Sequence, residues 1–538
     1  MDSRMVTRGY PVKTISLLPG IMICLLMSSS ILSVFFVLFS YSENIKWQNL
    51  IIDQYLWKVI KFTFSQAFFS AFFSVLIAIF LSKIYFRNSF FCNIFLKLSS
   101  ITFVLPTTIV TMGILTVYGR SGWISEMFNL VKVEYSFNMY GFQGIVLTNV
   151  FINLPFSTQL LLRSIRSISD DQWKIIDQIG MKHWEYFFNI EWYYLKRQIF
   201  PIFILVFVLS FSNFSIILIT GGGPSSTTIE LAIYQMINYE SNYQQAAFLS
   251  IIQLTFCLCL VVFLESLNKF PIIENDHKES FKNRYCSEIY QDTISNRIII
   301  LLSMIFFITP LIAIILDGIN IELIKVLKDF YFWKSFWNSV IIAIGSGFFC
   351  TLFALMFLWS SRELYFYQMF FSYKLFHLIS LILIMLPNTG LVSALSILLN
   401  DFFEIRSSYL SIIVINTLIF IPYSIKILEI PMNDIFKYYN NLCLSLKIIG
   451  LNRFFIIEYR KLKYDMRKSF ILSCFFALGD MNALSIFEEK KFLTLSYYLY
   501  DHLNHFYTKE ASAVSLLMFL LYIILFLLLE IFSQKNYD

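Results

Sequence analysis

The sequence predicts an all-α polytopic membrane protein of about 12 transmembrane helices, arranged as two parallel halves of six helices. Three observations carry this prediction: the composition, the number of apolar segments and an internal repeat. The chain is 58% hydrophobic and 14% charged, with a mean hydropathy of +0.68, which is typical of polytopic membrane proteins. Each apolar segment has roughly the 20 residues that a spanning helix needs. The segments are 15–40, 60–82, 96–118, 142–162, 199–219, 245–267, 298–316, 337–359, 376–399, 409–428, 469–487 and 512–533.

The distribution of reactive and charged residues excludes several classes of function. The eight cysteines form no C-x-x-C pair, and His502 and His505 have no third ligand beside them, so we predict no metal site. Lys and Arg are spread over many loops, and this spread does not indicate nucleic-acid binding. No catalytic cluster and no G-x-x-x-x-G-K-[ST] phosphate loop is visible, so any energy from ATP must come from another subunit.

Loop charges predict the orientation of the chain in the membrane. The loop at 220–244 contains no Lys or Arg, whereas the loop at 426–468 contains nine. The positive-inside rule places basic loops in the cytoplasm, so we expect a multi-pass protein with both termini cytoplasmic.

The two halves of the sequence repeat each other. An even number of spans per half gives both halves the same orientation, which predicts a pseudo-twofold axis along the membrane normal and a pathway near that axis. We therefore divide the chain into a first half at 1–267, a polar cytoplasmic linker at 268–297 and a second half at 298–538. An offset of 267 carries Asn149 to Asn416, Pro155 to Pro422, Glu191 to Glu458, Leu195 to Leu462 and Lys196 to Lys463.

A short amphipathic helix is predicted in the loop at 164–198. Ser169 and Gln172 form a capping-box pattern, and Gly180 ends the helix. Trp173, Ile176 and Ile179 recur at helical spacing, so they form one apolar edge. This edge suits either a protein groove or the membrane surface. A second copy at 433–447, within the loop at 429–468, favours a paired docking surface and adds Leu442, Leu446 and Lys447 to the candidates.

These loops resemble the EAA loops of ABC-importer permeases, whose pattern is E-A-A-x-x-x-G. The corresponding residues are Lys174, Ile175, Ile176 and Gly180 in the first loop, then Asn441, Leu442, Cys443 and Lys447 in the second. Only Gly180 keeps the pattern. The wider context closely resembles the thiamine-transporter permeases, a MetI-like family with two fused halves, and less closely the ferric-iron permeases. The matching stretches are 180–192, 195–199, 221–224, 227–235, 245–247, 477–480 and 495–500.

The resemblance implies a type I importer permease in the bacterial inner membrane. A periplasmic thiamine-binding protein would deliver thiamine or its phosphates, and a homodimer of cytoplasmic ABC ATPases would dock on the two EAA loops. This chain would itself be no enzyme and would bind no cofactor, because ATP and Mg²⁺ belong to the ATPase. The alternatives are a ferric-iron permease and an ion-coupled secondary transporter, in which Asp480 would be the carrier site.

Two further sets of residues are candidates for the substrate pathway. Asp480 and its repeat partner Asn213 are polar residues inside apolar segments, and they line a pathway or, alternatively, cap broken helices. The glycine turn Gly221-Gly222-Gly223-Pro224 is expected on the periplasmic side. Its backbone N–H groups suit an anion, but the absence of Lys and Arg favours a plain loop that contacts the binding protein.

Overall fold

The computed structural model describes 14–40, 52–133, 137–179, 185, 187–240, 242–267, 294–366, 369–385, 388–403, 409–446, 448, 451–481, 493–505 and 507–533. Nearly all of these residues are helical, and the ranges contain no β-strand. Most of the predicted linker at 268–297 lies outside these ranges. Gly180 and Lys447 also lie outside them.

Eleven α-helices lie within the described ranges of the first half. They are α1 (Thr14–Ser40), α2 (Gln54–Arg87), α3 (Ser89–Val104), α4 (Thr107–Tyr118), α5 (Trp123–Leu130), α6 (Phe142–Arg166), α7 (Asp170–Ile179), α8 (Trp192–Phe211), α9 (Phe214–Thr220), α10 (Ile229–Asn238) and α11 (Tyr243–Leu267).

The second half repeats most of this order. Its longer helices within the described ranges are α12 (Ile294–Gly318), α13 (Glu322–Lys328), α14 (Phe330–Phe366), α15 (Phe370–Met385), α16 (Asn388–Phe403), α17 (Tyr409–Ser445), α18 (Tyr459–Gly479), α19 (Leu495–Asn504) and α20 (Thr508–Ser533).

A rare backbone feature marks the repeat. A π-helical turn at Phe187–Glu191 leads into α8, and a second one at Phe454–Glu458 leads into α18, again 267 residues later. Each turn ends in a glutamate that is almost completely buried. Because π-helical turns are uncommon, their recurrence at one place in both halves shows that the halves share a local backbone path.

The spanning helices within the described ranges agree approximately with the prediction of about 12. By length and composition, nine helices within the described ranges are able to cross a membrane, or up to eleven if two bent pairs each count as one span. The bent pairs are α3–α4, at 113°, and α15–α16, at 92°, and they replace the straight spans expected at 96–118 and 376–399. Pro106 opens α4 and holds Leu105 extended, which explains the first bend.

Two more predicted spans differ from the observed helices. The segment at 199–219 is broken at Ser212 and Asn213, between α8 and α9. The segment at 469–487 is helical only as far as Gly479, and 482–492 lie outside the described ranges. Helix α18 instead begins at Tyr459, and the basic residues in its first ten positions lower its mean hydropathy too far for a candidate span.

The two halves interlock through their first helices. Helix α1 packs against α14 and α16 of the second half, and α12 packs against α4 of the first. The Gly20 N–H donates to Ser360 Oγ at 2.9 Å, and a Cβ on Gly20 would lie 2.3 Å from Ser360 Cβ. A Cβ on Gly113 of α4 would lie 2.7 Å from the Pro310 carbonyl oxygen of α12. Glycine is therefore needed at both crossings, because any side chain would push the halves apart.

Candidate functional site

The predicted docking helix α7 exists, but its orientation differs from the predicted one. Trp173 is buried and stacks on Phe86 of α2, with 5.6 Å between the ring centroids, so it fastens α7 to its own chain. Ile175 and Ile179 are 51% and 62% exposed and form the free apolar edge. Ile176 lies on the same helix, but its side chain is outside the described part of the structure.

The second copy of this helix is not separate. Helix α17 continues as a single 37-residue helix to Ser445. Phe436 occupies the repeat position of Ser169, so the capping residue that starts α7 is missing and the helix runs on. Its end is closed by a hydrogen bond from Ile448 N–H to the Cys443 carbonyl at 2.9 Å. This bond gives a partner to one of the last carbonyl groups of the helix.

Despite this difference, both halves expose the same pair of aliphatic side chains. Leu442 and Leu446 of the second half are 50% and 61% exposed. They lie 267 residues after Ile175 and Ile179 and have nearly the same exposure. A cavity of about 130 Å³ lies beside the first pair and is lined by Gln172, Ile175, Asn189, Ile190, Tyr193 and Tyr194. We call these four aliphatic residues the paired patch. It suits a partner that has two equivalent binding surfaces.

A buried ion cluster supports the second half of the paired patch. Both Arg362 of α14 and Arg453 contact the same oxygen of Glu458, at 2.5 and 2.9 Å. Arg453 also donates to Asn440 Oδ1 of α17 at 3.1 Å, and both guanidinium groups lie over the Phe436 ring. The cluster therefore joins α14, α17 and the π-helical turn before α18.

Asn213 is tied into a buried polar network. Its Nδ2 donates to Asn149 Oδ1 at 3.3 Å, and Asn149 donates to Gln66 Oε1 at 3.2 Å. Gln66 in turn donates to the Ser210 carbonyl at 2.9 Å. Asn213 Oδ1 also accepts a long bond, 3.5 Å, from the Ile216 N–H and caps α9. These contacts give Asn213 a structural role, while a contact with substrate stays a prediction.

Asp480 lies at the end of a helix rather than in the middle of one. It is the C-cap residue of α18, in an extended conformation, and is 7% exposed. A Cβ on the preceding Gly479 would lie 3.0 Å from Pro106 Cβ and 3.1 Å from the Tyr522 hydroxyl. The end of α18 therefore packs closely against the bend between α3 and α4. A pathway role for Asp480 stays a prediction.

The glycine turn has a defined conformation. Gly222 and Gly223 have φ of +71° and +130°, which glycine adopts without steric cost. A Cβ on Gly222 would lie 2.9 Å from Tyr140 Cβ, so this turn packs against the chain before α6. Gly221 N–H closes α9 through a 2.7 Å bond to the Ile217 carbonyl, and Pro224 opens a 3₁₀ turn.

Directly after this turn, a fully buried carboxylate joins the two halves. Glu230 of α10 has no exposed surface. Its Oε2 accepts from Thr389 Oγ1 at 2.6 Å and from Thr389 N–H at 3.1 Å, and its Oε1 accepts from Asn388 N–H at 3.2 Å. Gln253 of α11 donates to Oε1 at 2.8 Å. We call this set of contacts the Glu230 bridge, because it fixes α10 to the start of α16.

Sequence reasoning did not single out the Glu230 bridge or the ion cluster. The signal for Glu230 was a carboxylate inside the otherwise apolar window at 229–233. The signal for Glu458 was a glutamate retained in both halves. Arg362 lies 96 residues before Glu458, and Thr389 lies 159 residues after Glu230, so these two pairings need the fold.

Comparison with known proteins identifies the family. Residues 71–269 match the family model described as the binding-protein-dependent transport system inner membrane component. The thiamine transport system permease protein of Salmonella typhimurium is 35% identical over 98% of this chain and 98% of its own length. The proteins of the same name from Escherichia coli and Haemophilus influenzae are 34% and 30% identical, over 99% and 93% of both chains.

This likeness covers nearly the whole chain and includes both halves. It agrees with the helical membrane fold and with the repeated architecture. The chain therefore belongs to the family of these thiamine transport system permease proteins and is an inner membrane component of a binding-protein-dependent transport system.

Proposed function

We propose that this chain is the permease subunit of an ATP-driven type I importer that moves thiamine, and its phosphates, into the cytoplasm. The names of the relatives support the substrate, and the paired patch supports the ATP-driven class. Two pairs of exposed aliphatic residues at repeat-related positions suit a homodimeric motor, whereas a stand-alone carrier has no use for them.

In this proposal the two ATPase subunits dock on the paired patch, which faces the cytoplasm together with both termini. ATP and Mg²⁺ bind to the ATPase alone, so this chain carries no cofactor and catalyses no reaction. A periplasmic thiamine-binding protein docks on the opposite face, beside the glycine turn at Gly221–Gly223. Closure of the ATPase pair rocks the halves, and the pathway lies between them near the pseudo-twofold axis.

The structure supports a mechanical connection from the paired patch to the membrane helices. Trp173 stacks on Phe86, which lies in the last turn of α2. Tyr194 of α8 donates to Gln172 of α7 at 2.9 Å, and its carbonyl accepts from Ser164 of α6 at 3.1 Å. A displacement of α7 therefore reaches α2, α6 and α8 through direct contacts. In the second half the same role falls to α17, which is continuous from the membrane to the patch.

Reconstitution tests the substrate and the energy source together. This chain is placed in liposomes with its cognate ATPase and binding protein, and both ATP hydrolysis and uptake of labelled thiamine are measured. We expect thiamine-loaded binding protein to stimulate hydrolysis and uptake to require ATP, while unloaded binding protein is the control. Stimulation by an Fe³⁺-loaded protein would support the iron-permease alternative. Uptake without ATPase, driven by a pH gradient and lost in Asp480→Asn, would support an ion-coupled carrier.

A further inference from the structure

We propose that Glu230 is a positioning residue that holds the two halves together in one state of the transport cycle and releases them in the other. The inference rests on the proposed function, since it assigns a step of that cycle to the Glu230 bridge. The bridge joins α10, which follows the glycine turn, to the first two residues of α16, which follow a 92° bend. The halves cannot separate there without breaking these bonds.

The chemistry of the bridge favours two discrete states. The carboxylate accepts the first two backbone N–H groups of α16, which have no partner inside their own helix. A negative charge is also favoured at a helix N-terminus. A buried carboxylate without these donors is costly, so partial separation is unfavourable. Full separation admits water, which then solvates both the carboxylate and the N–H groups.

The other half of the molecule is built without this bridge. Thr494 precedes α19 as Thr228 precedes α10, so Ser496 occupies the place of Glu230. The Ser496 hydroxyl donates to the Leu478 carbonyl of its own half at 2.8 Å.

At the start of α4, the place that corresponds to the start of α16, the buried Thr108 hydroxyl has no hydrogen-bond partner among the described residues. The same fold is therefore stable without a carboxylate at this position. Because the fold does not need a carboxylate here, we assign Glu230 a role in the transport cycle.

The test compares Glu230→Gln with Ser496→Ala in the complete complex in liposomes. Glutamine keeps the size of the side chain, removes the charge and turns an N–H₂ group toward existing donors. We expect hydrolysis without binding protein to rise about tenfold, the shift produced by losing a hydrogen bond to a charged group. We also expect less substrate to be imported per ATP. Ser496→Ala should leave both quantities unchanged.

A second measurement does not depend on ATPase or substrate. Hydrogen exchange of the purified chain in detergent should become faster at 388–392 in Glu230→Gln and stay unchanged in Ser496→Ala. If exchange does not change, no bridge forms. If exchange is faster but import per ATP is unaltered, the contact is only structural and the proposal is wrong. Failure of thiamine to stimulate the complex would overturn the proposed substrate while leaving the exchange result valid.

A milder variant covers the case in which Glu230→Gln does not fold. Thr389→Val removes one hydroxyl donor, preserves the side-chain shape and leaves both backbone donors in place. We expect hydrolysis without binding protein to rise and the substrate imported per ATP to fall, each about threefold. The effect is smaller than in Glu230→Gln because a single hydrogen bond contributes less than the whole set. Wild-type coupling in Thr389→Val together with faster exchange would contradict the proposal.

Discussion

The buried glutamates at the ends of the two π-helical turns have different surroundings. Glu458 lies between the guanidinium groups of Arg362 and Arg453, and the exposed fractions of all three are below 9%. Glu191, its repeat partner, is equally buried and lies near Arg87 and Lys83. Neither carboxylate oxygen of Glu191 has a hydrogen-bond partner in the part of the chain that the structure describes. The buried glutamate is therefore held by direct ion pairs in the second half and only by nearby positive charges in the first.

Removing one member of the ion cluster should be costly. We expect Arg362→Ala to lower the free energy of unfolding by about 3 kcal/mol, because Glu458 would keep only one of its two cationic partners in a buried site. Thermal unfolding in detergent measures this loss. Lys325→Ala is the control, since Lys325 is exposed and its ion pair with Glu322 should contribute little to stability. Equal losses in the two variants would contradict the assigned role of the cluster.

At the scale of helices, one difference between the two repeats determines whether the cytoplasmic helix is separate from the membrane helix before it. Ser169 precedes α7, whereas Phe436 at the equivalent position leaves α17 unbroken. The paired patch nevertheless keeps its spacing, because Ile175 and Ile179 and their counterparts are each separated by four residues on a helix. The exposed face is thus retained although the path of the chain has changed.

This arrangement predicts that both halves of the paired patch contribute to ATPase docking. Ile179→Asp and Leu446→Asp should each reduce stimulated ATP hydrolysis at least tenfold, because a charge replaces an apolar contact. Binding of the ATPase to the purified chain should weaken in parallel. Phe371→Asp is the control, since this phenylalanine of α15 is also exposed, at 80%, but lies outside the patch. A normal response in either patch variant would show that the ATPase binds elsewhere.

The helical class and most spans could be predicted from the sequence because hydropathy is a local property. The burial of Trp173 could not, since it depends on Phe86 of another helix. The same holds for Asp480, whose position follows from the end of α18 at Gly479 rather than from the length of the apolar segment. The bend at Pro106 was readable in principle, because proline is a local signal. The Glu230 bridge needed the packing of the two halves.

At the scale of the whole molecule, the crossed first helices are the main connection between the halves. Each half therefore leaves a surface uncovered when it stands alone. The predicted boundary at 268–297 can be tested by cutting the chain there and producing 1–267 and 298–538 together. We expect a tag on one half to retain the other through purification, because the interlock does not need the linker. A tagged first half that is equally stable alone would contradict this expectation.

The interlock also has a consequence for biogenesis. Gly20 and Ser360, which meet at the closest crossing, are 340 residues apart in the chain. During synthesis α1 enters the membrane long before its partner α14 has been translated. Until then, the surface of α1 around Gly20 has no partner helix from the second half and faces lipid or other early helices. Because both halves belong to one chain, the same ribosome then produces α14, in an amount equal to α1, and α14 covers this surface.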